Sequence, residues 1–110
     1  MFEIDFDPST CVVRLQGRFD AAQSERAMEV LEGVRSSAVI DFGELDYISS
    51  GGLGALFATQ KRLLAEGEAL RLTNLNPHIR EVFAIAGFDT VFEIEEAGAK
   101  REDPTAAAEP

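Results

Sequence analysis

The sequence has little of what most enzymes and metal proteins require. It contains one cysteine, Cys11, one histidine, His78, and no tryptophan. A single thiol cannot build an internal disulfide framework, and its scarcity fits a reducing cytosol. One Cys and one His cannot supply the four ligands of a structural zinc site. A serine nucleophile needs a base within hydrogen-bond reach. The one candidate base, His78, follows Pro77 at a predicted helix start, where it reads as a solvated surface group. No G-x-S-x-G elbow is present. Positive charge is scarce too: ten Lys and Arg face twenty Asp and Glu, a formal charge of −10. Such a surface repels nucleic-acid phosphates and anionic membranes over about a Debye length. It suits a basic protein partner better, through electrostatic steering. No apolar run approaches the ~20 residues needed to cross a bilayer. The opening "MFEIDFDPST" lacks the regions of a signal peptide. These absences predict a cytoplasmic, non-enzymatic protein with no metal, no cofactor, no direct nucleic-acid contact and no membrane insertion.

What is present is enough for one compact domain. A chain of 110 residues buries roughly two-thirds of its unfolded surface. Phe2, Ile4 and Phe6 alternate with Glu3, Asp5 and Asp7, the period of a half-buried strand. After the turn "DPST", "CVVRLQG" predicts a second strand with Cys11, Val13 and Leu15 on one face, and the pair predicts a hairpin. From Asp20 to Val34 the period becomes helical, with Ala27, Met28, Leu31 and Val34 on one side and Asp20 as N-cap. "SAVIDF" predicts a central strand over 37–42, covered on both faces and ending near Gly43. Leu53, Leu56, Phe57, Gln60, Leu63 and Leu64 predict a helix over 53–65, stopped by Gly67. "ALRLTNL" is another strand. Asn76 and Pro77 open a third helix, with Ile79, Val82, Phe83 and Ala86 as its buried stripe and Gly87 as its end. "TVFEIEE" closes the series. The order ββαβαβαβ predicts an α/β fold with a mixed, largely parallel sheet. The domain is expected over residues 1–97, and the small, Pro-ended stretch 98–110 reads as a disordered tail.

The chemistry gathers in "LDYISSGGLGALF", residues 45–57. It lies between a strand and a helix, at the carboxyl edge where open α/β sheets place their sites. Ser49 or Ser50 can cap the helix by accepting an orphan N–H. Gly51 and Gly52 would allow unusual backbone geometry and leave the serines uncovered. A phosphate cradle lacks the P-loop lysine. A serine that accepts a phosphate is the remaining alternative. The helix N-terminus would tolerate the group, while the exposed surface gains nearly two negative charges.

The residues also resemble a known family. "LQGRFD" at 15–20 looks like L-x-G-x-[LF]-D. "VIDFGELDYISSGGLGALF" at 39–57 resembles V-x-[DN]-[LF]-x-x-[LV]-x-x-[IM]-[DS]-S-x-G-L-x-x-L. "LRLTNLNPHIREVFAIAGFDTVFEI" is similar to the closing portion of the same pattern. Together these resemble the STAS domain of bacterial anti-sigma factor antagonists, over roughly residues 2–95. The resemblance implies a partner switch. The unmodified protein binds an anti-sigma factor that is also a serine kinase, freeing a sigma factor; phosphorylation breaks that complex and a serine phosphatase restores it. Aligned on "GLG", the acceptor falls on Ser50, with Ser49 as the alternative because it stands where the best-known members carry Asp. Asp20, Ser49, Ser50, Gly51 and Gly52 become the implied partner surface. A second role within the family is a non-switching structural subunit of a lipid ABC-type transport complex, in which Ser50 would be dispensable.

Overall fold

The computed structural model describes residues 1–95; the expected tail and the last two residues of the expected domain lie outside them. The elements are β1 (Phe2–Asp7), β2 (Val12–Phe19), a 3-10 turn (Ala21–Gln23), α1 (Ser24–Leu31), β3 (Ala38–Ile48), α2 (Ser50–Leu64), β4 (Leu70–Thr73), α3 (Pro77–Ile85), a second 3-10 turn (Phe88–Thr90) and β5 (Glu93–Ile94). They form one five-stranded sheet in the order β1-β2-β3-β4-β5. Only β1 and β2 are antiparallel; the other three pairings are parallel. The mixed, largely parallel α/β architecture therefore agrees with the sequence pattern.

Each parallel step moves one place in the same direction, so right-handed crossovers lay all three helices on one face. Burial follows. Val13, Leu15 and Phe19 of β2 are buried while Arg14, Gln16 and Arg18 are exposed on the helix-free face. Facing them, Ala27 and Leu31 of α1, Leu53, Leu56 and Leu63 of α2, and Ile79 and Phe83 of α3 complete one core. Phe83 meets Phe42 and Phe92 edge-on, both at 5.8 Å between ring centres. Full burial of each such side chain contributes about 1.5–3 kcal/mol. Two polar residues are buried among the described ones: Thr59, whose hydroxyl donates to the Ala55 carbonyl at 3.0 Å, and Gln60. Gln60, only 2% exposed, donates through Nε2 to the Val91 carbonyl and accepts through Oε1 from the Leu70 N–H, each at 2.8 Å. It thereby ties α2 to both β4 and the chain entering β5.

Several predicted boundaries are corrected. Cys11 is not a strand residue: its φ of 58° places it in the hairpin turn, with its N–H donating to the Asp7 carbonyl at 2.8 Å. The first helix is shorter than 20–34, because Asp20 caps a 3-10 turn and α1 ends at Leu31. β3 is the largest revision. It runs past Gly43 to Ile48, and its outward residues Val39 and Asp41 are only half-buried, so it is covered on one face. Its pairing with β2 slips twice, between Arg14 and Gln16 and between Gly17 and Arg18. Each bulge inserts an extra residue on β3. Phe42, Leu45 and Ile48 thus all reach the core at a spacing of three, which no alternation rule anticipates. Ala86 is exposed because α3 ends at Ile85. The last strand contracts to Glu93–Ile94, since Thr90 and Val91 belong to the preceding turn.

Candidate functional site

The carboxyl ends of β2 and β3 are stitched together by the Ser49 N–H, which donates to the Phe19 carbonyl at 2.9 Å. Both strands then turn into N-caps. Asp20 is extended (φ −104°, ψ −178°) and its Oδ1 accepts from the Ala22 N–H at 3.1 Å. Ser49 is extended as well (φ −97°, ψ 174°) and its Oγ accepts from the Gly52 N–H at 3.3 Å. The cap of α2 is therefore Ser49. Ser50 is the first helical residue, exposed, and its hydroxyl makes no hydrogen bond among the described residues.

The 3-10 turn after Asp20 packs on the first turn of α2, so the five residues picked out from the sequence do lie on one rim. The glycines serve a different purpose from the one expected. Neither Gly51 nor Gly52 has a positive φ. A Cβ on Gly51 would stand 2.9 Å from Ala21 Cα and 3.0 Å from Ser24 Oγ. A Cβ on Gly52 would stand 2.9 Å from Ile48 Cγ1 and 3.0 Å from the Phe19 carbonyl oxygen. They are clearances that let α2 approach β2, β3 and the 3-10 turn. Ser24, beneath Gly51, escaped the sequence reading; its Oγ is buried and without a partner. No periodicity marks a residue whose neighbour arrives from another element.

Electrostatically the rim is mixed. Asp20 and the exposed Asp46 flank it. On the helix-free side the Arg18 guanidinium lies 4.3 Å from the centre of the half-buried Tyr47 ring. α2 itself carries no acidic residue, and Lys61 and Arg62 sit in its last turn, where cations complement the helix dipole. His78 is exposed on the first turn of α3 and makes no hydrogen bond to either serine. Among the described residues no group of three or more His, Cys, Asp and Glu could hold a metal ion, and no helix is long and apolar enough to cross a membrane.

Known proteins converge on one family. The family profile described as "Mlab, STAS domain" matches residues 2–95. A Bordetella bronchiseptica protein named as a candidate anti-sigma factor antagonist, BtrV, is 41% identical over 85 residues, covering 73% of this chain and 72% of its own length. The Bacillus anti-sigma factor antagonist SpoIIAA superposes in its unphosphorylated form with a TM-score of 0.64 at 19% identity, covering 88% of this chain and 89% of its own. Its phosphorylated form gives 0.63 at 19%, with coverages of 87% and 92%. A sulfate transporter family protein from Wolinella succinogenes gives 0.65 at 16%, with coverages of 82% and 79%. At these identities the structural likeness speaks for the fold alone, while the profile and the Bordetella relative speak for descent. The chain belongs to the STAS domain family of anti-sigma factor antagonists.

Proposed function

We propose that this protein is a cytoplasmic partner-switching antagonist. In its unphosphorylated form it binds an anti-sigma factor of the serine-kinase class, so that a sigma factor is released. The observation that carries this reading is the division of labour at the start of α2: Ser49 caps the helix, which leaves the exposed Ser50 hydroxyl uncommitted. In the transfer step Ser50 Oγ bonds to the terminal phosphorus of ATP while the bond from that phosphorus to the bridging oxygen breaks. ADP departs, and the hydroxyl proton passes to a base of the kinase. The product meets the positive end of α2, which tolerates the charge within this fold. Against a bound partner the same charge is desolvated without a paired cation. A penalty of ~3 kcal/mol weakens binding about a hundredfold, enough for release. A serine phosphatase returns the protein to its binding form. No catalytic role falls to this chain.

Binding and phosphorylation assays with a purified kinase partner test the scheme. Ser50→Ala is expected to bind as wild type and to take up no phosphate, and Ser50→Asp to bind about a hundredfold more weakly. Phosphate mapping to Ser49 would move the acceptor by one residue. The same fold in a sulfate transporter family protein supports a second reading, a non-switching subunit of a transport complex. Full binding by Ser50→Asp would favour that reading and sink the switch.

A further inference from the structure

Eight glycines lie among the described residues, and seven are explained from inside the molecule. Gly17, Gly67 and Gly87 have positive φ, where side chains are strained. Gly51 and Gly52 are close approaches. A Cβ on Gly33 or Gly43 would crowd the Val30 carbonyl at 3.3 Å or the Asp41 carboxylate at 3.1 Å. Gly54 is the exception. It stands in the body of α2, without positive φ, and a Cβ there would find nothing within 4 Å. A glycine inside a helix is less stable than alanine, so the fold loses by this choice and gains nothing inside the chain. The gain lies outside.

Gly54 follows Ser50 by four residues, about one turn: roughly 6 Å along the axis and 40° around it. Both residues are exposed, and Ala58 is exposed one further turn along. α2 carries no acidic residue in a chain with twenty, so no carboxylate of α2 itself repels a partner along this line. We infer that Gly54 is the clearance over which the kinase partner seats its backbone when it reaches Ser50, an inference that rests on the switch proposed above. Phosphoryl transfer needs the attacking oxygen and phosphorus about 3–3.5 Å apart. A kinase holding ATP at that distance must also lie on the ground beside Ser50. One side of that ground is occupied by the 3-10 turn after Asp20, which packs on α2. The other side runs along the helix over Gly54. A methyl group there lifts the approaching backbone off the surface and with it the phosphoryl donor away from Ser50.

The test measures two quantities that move in opposite directions. For the full chain, Gly54→Ala should raise the melting temperature by about 4–8 °C. It should also weaken binding to a purified serine-kinase anti-sigma factor about tenfold and slow phosphate uptake in parallel. Gly54→Leu should also melt above wild type and bind about a hundredfold more weakly, as expected from steric height. Binding of Gly54→Ala within about twofold of wild type overturns the clearance and leaves the switch standing. A lower melting temperature for Gly54→Ala overturns it too, by giving the glycine a reason inside the fold. Failure of the wild-type chain to bind any such kinase removes the switch, and the clearance with it.

Discussion

At the scale of single residues, the rim separates the residue that supports α2 from the one proposed to signal. Ser49 supports: replacing it with alanine frees the Gly52 N–H and removes a cap contribution of about 1 kcal/mol. The expected drop is about 4–8 °C in melting temperature, read by thermal unfolding. Ser49→Asp should restore it, because an Asp caps as well as a Ser and also favours the helix dipole. No recovery would mean that the hydroxyl's contact, at a long 3.3 Å, contributes little. Asp20 can be divided in the same way. Asp20→Asn keeps an oxygen for the Ala22 N–H and removes a charge from the rim, so partner binding should fall further than stability. Equal losses in both would leave Asp20 as a cap only. The sequence revealed that a serine would cap α2 but not which one. Adjacent serines have the same capping chemistry, and the choice depends on where β3 stops pairing, at the Ser49 N–H to Phe19 bond.

At the scale of elements, the sheet and helix order was legible because each crossover helix shows its own apolar stripe. The Asn76–Pro77 start of α3 and the Gly87 end fall where capping chemistry puts them. β3 was legible only to Phe42. Beyond it, "GELDYI" does not alternate, since two bulges keep Leu45 and Ile48 on the core side. The joints between elements were not legible at all. Gly52→Ala should show this: its methyl would press on Ile48 and the Phe19 carbonyl, and overpacking of this kind costs about 1–3 kcal/mol. Chemical denaturation reads the cost directly. Gln60→Leu probes another joint. Apolar spacing had placed Gln60 on the inward face of α2, but leucine there strands the Leu70 N–H and the Val91 carbonyl. The expected loss is about 1–3 kcal/mol per group. A variant as stable as wild type would show that both groups find other partners.

At the scale of the whole molecule, two hydrogen-bonded carboxylates bear on the response to acid. Asp7 is held below its ordinary 3.8, first by the Ser9 hydroxyl and then by the Ser9 N–H, with desolvation opposing them. Glu68 is held below 4.5 by the hydroxyl and then the N–H of Ser37, a contact that joins the start of β3 to the approach of β4. A lowered carboxyl pKa means that the folded state binds its proton less readily than the unfolded one. This contribution is therefore complete above the ordinary values and lost as pH falls through them and then through the lowered ones. Denaturation midpoints should fall from about pH 5 downward. The fall should be shallower when Asp7→Asn and Glu68→Gln are combined. An unchanged slope would assign acid sensitivity to other carboxylates.

The paired bulges of β3 bear on how this chain can be inherited. Each adds one residue, and after each the pairing with β2 resumes in phase. Loss of Gly43 alone would remove the first bulge and leave Leu45 opposite Gly17, two residues after Phe42 and still on the core side, because strand side chains alternate with a period of two. Loss of Asp46 would remove the second bulge in the same way and keep Ile48 inward. Relatives with a shorter β3 can therefore lack either residue or both. A single gap between Phe42 and Ile48 marks a lost bulge, and the core side of the strand survives it.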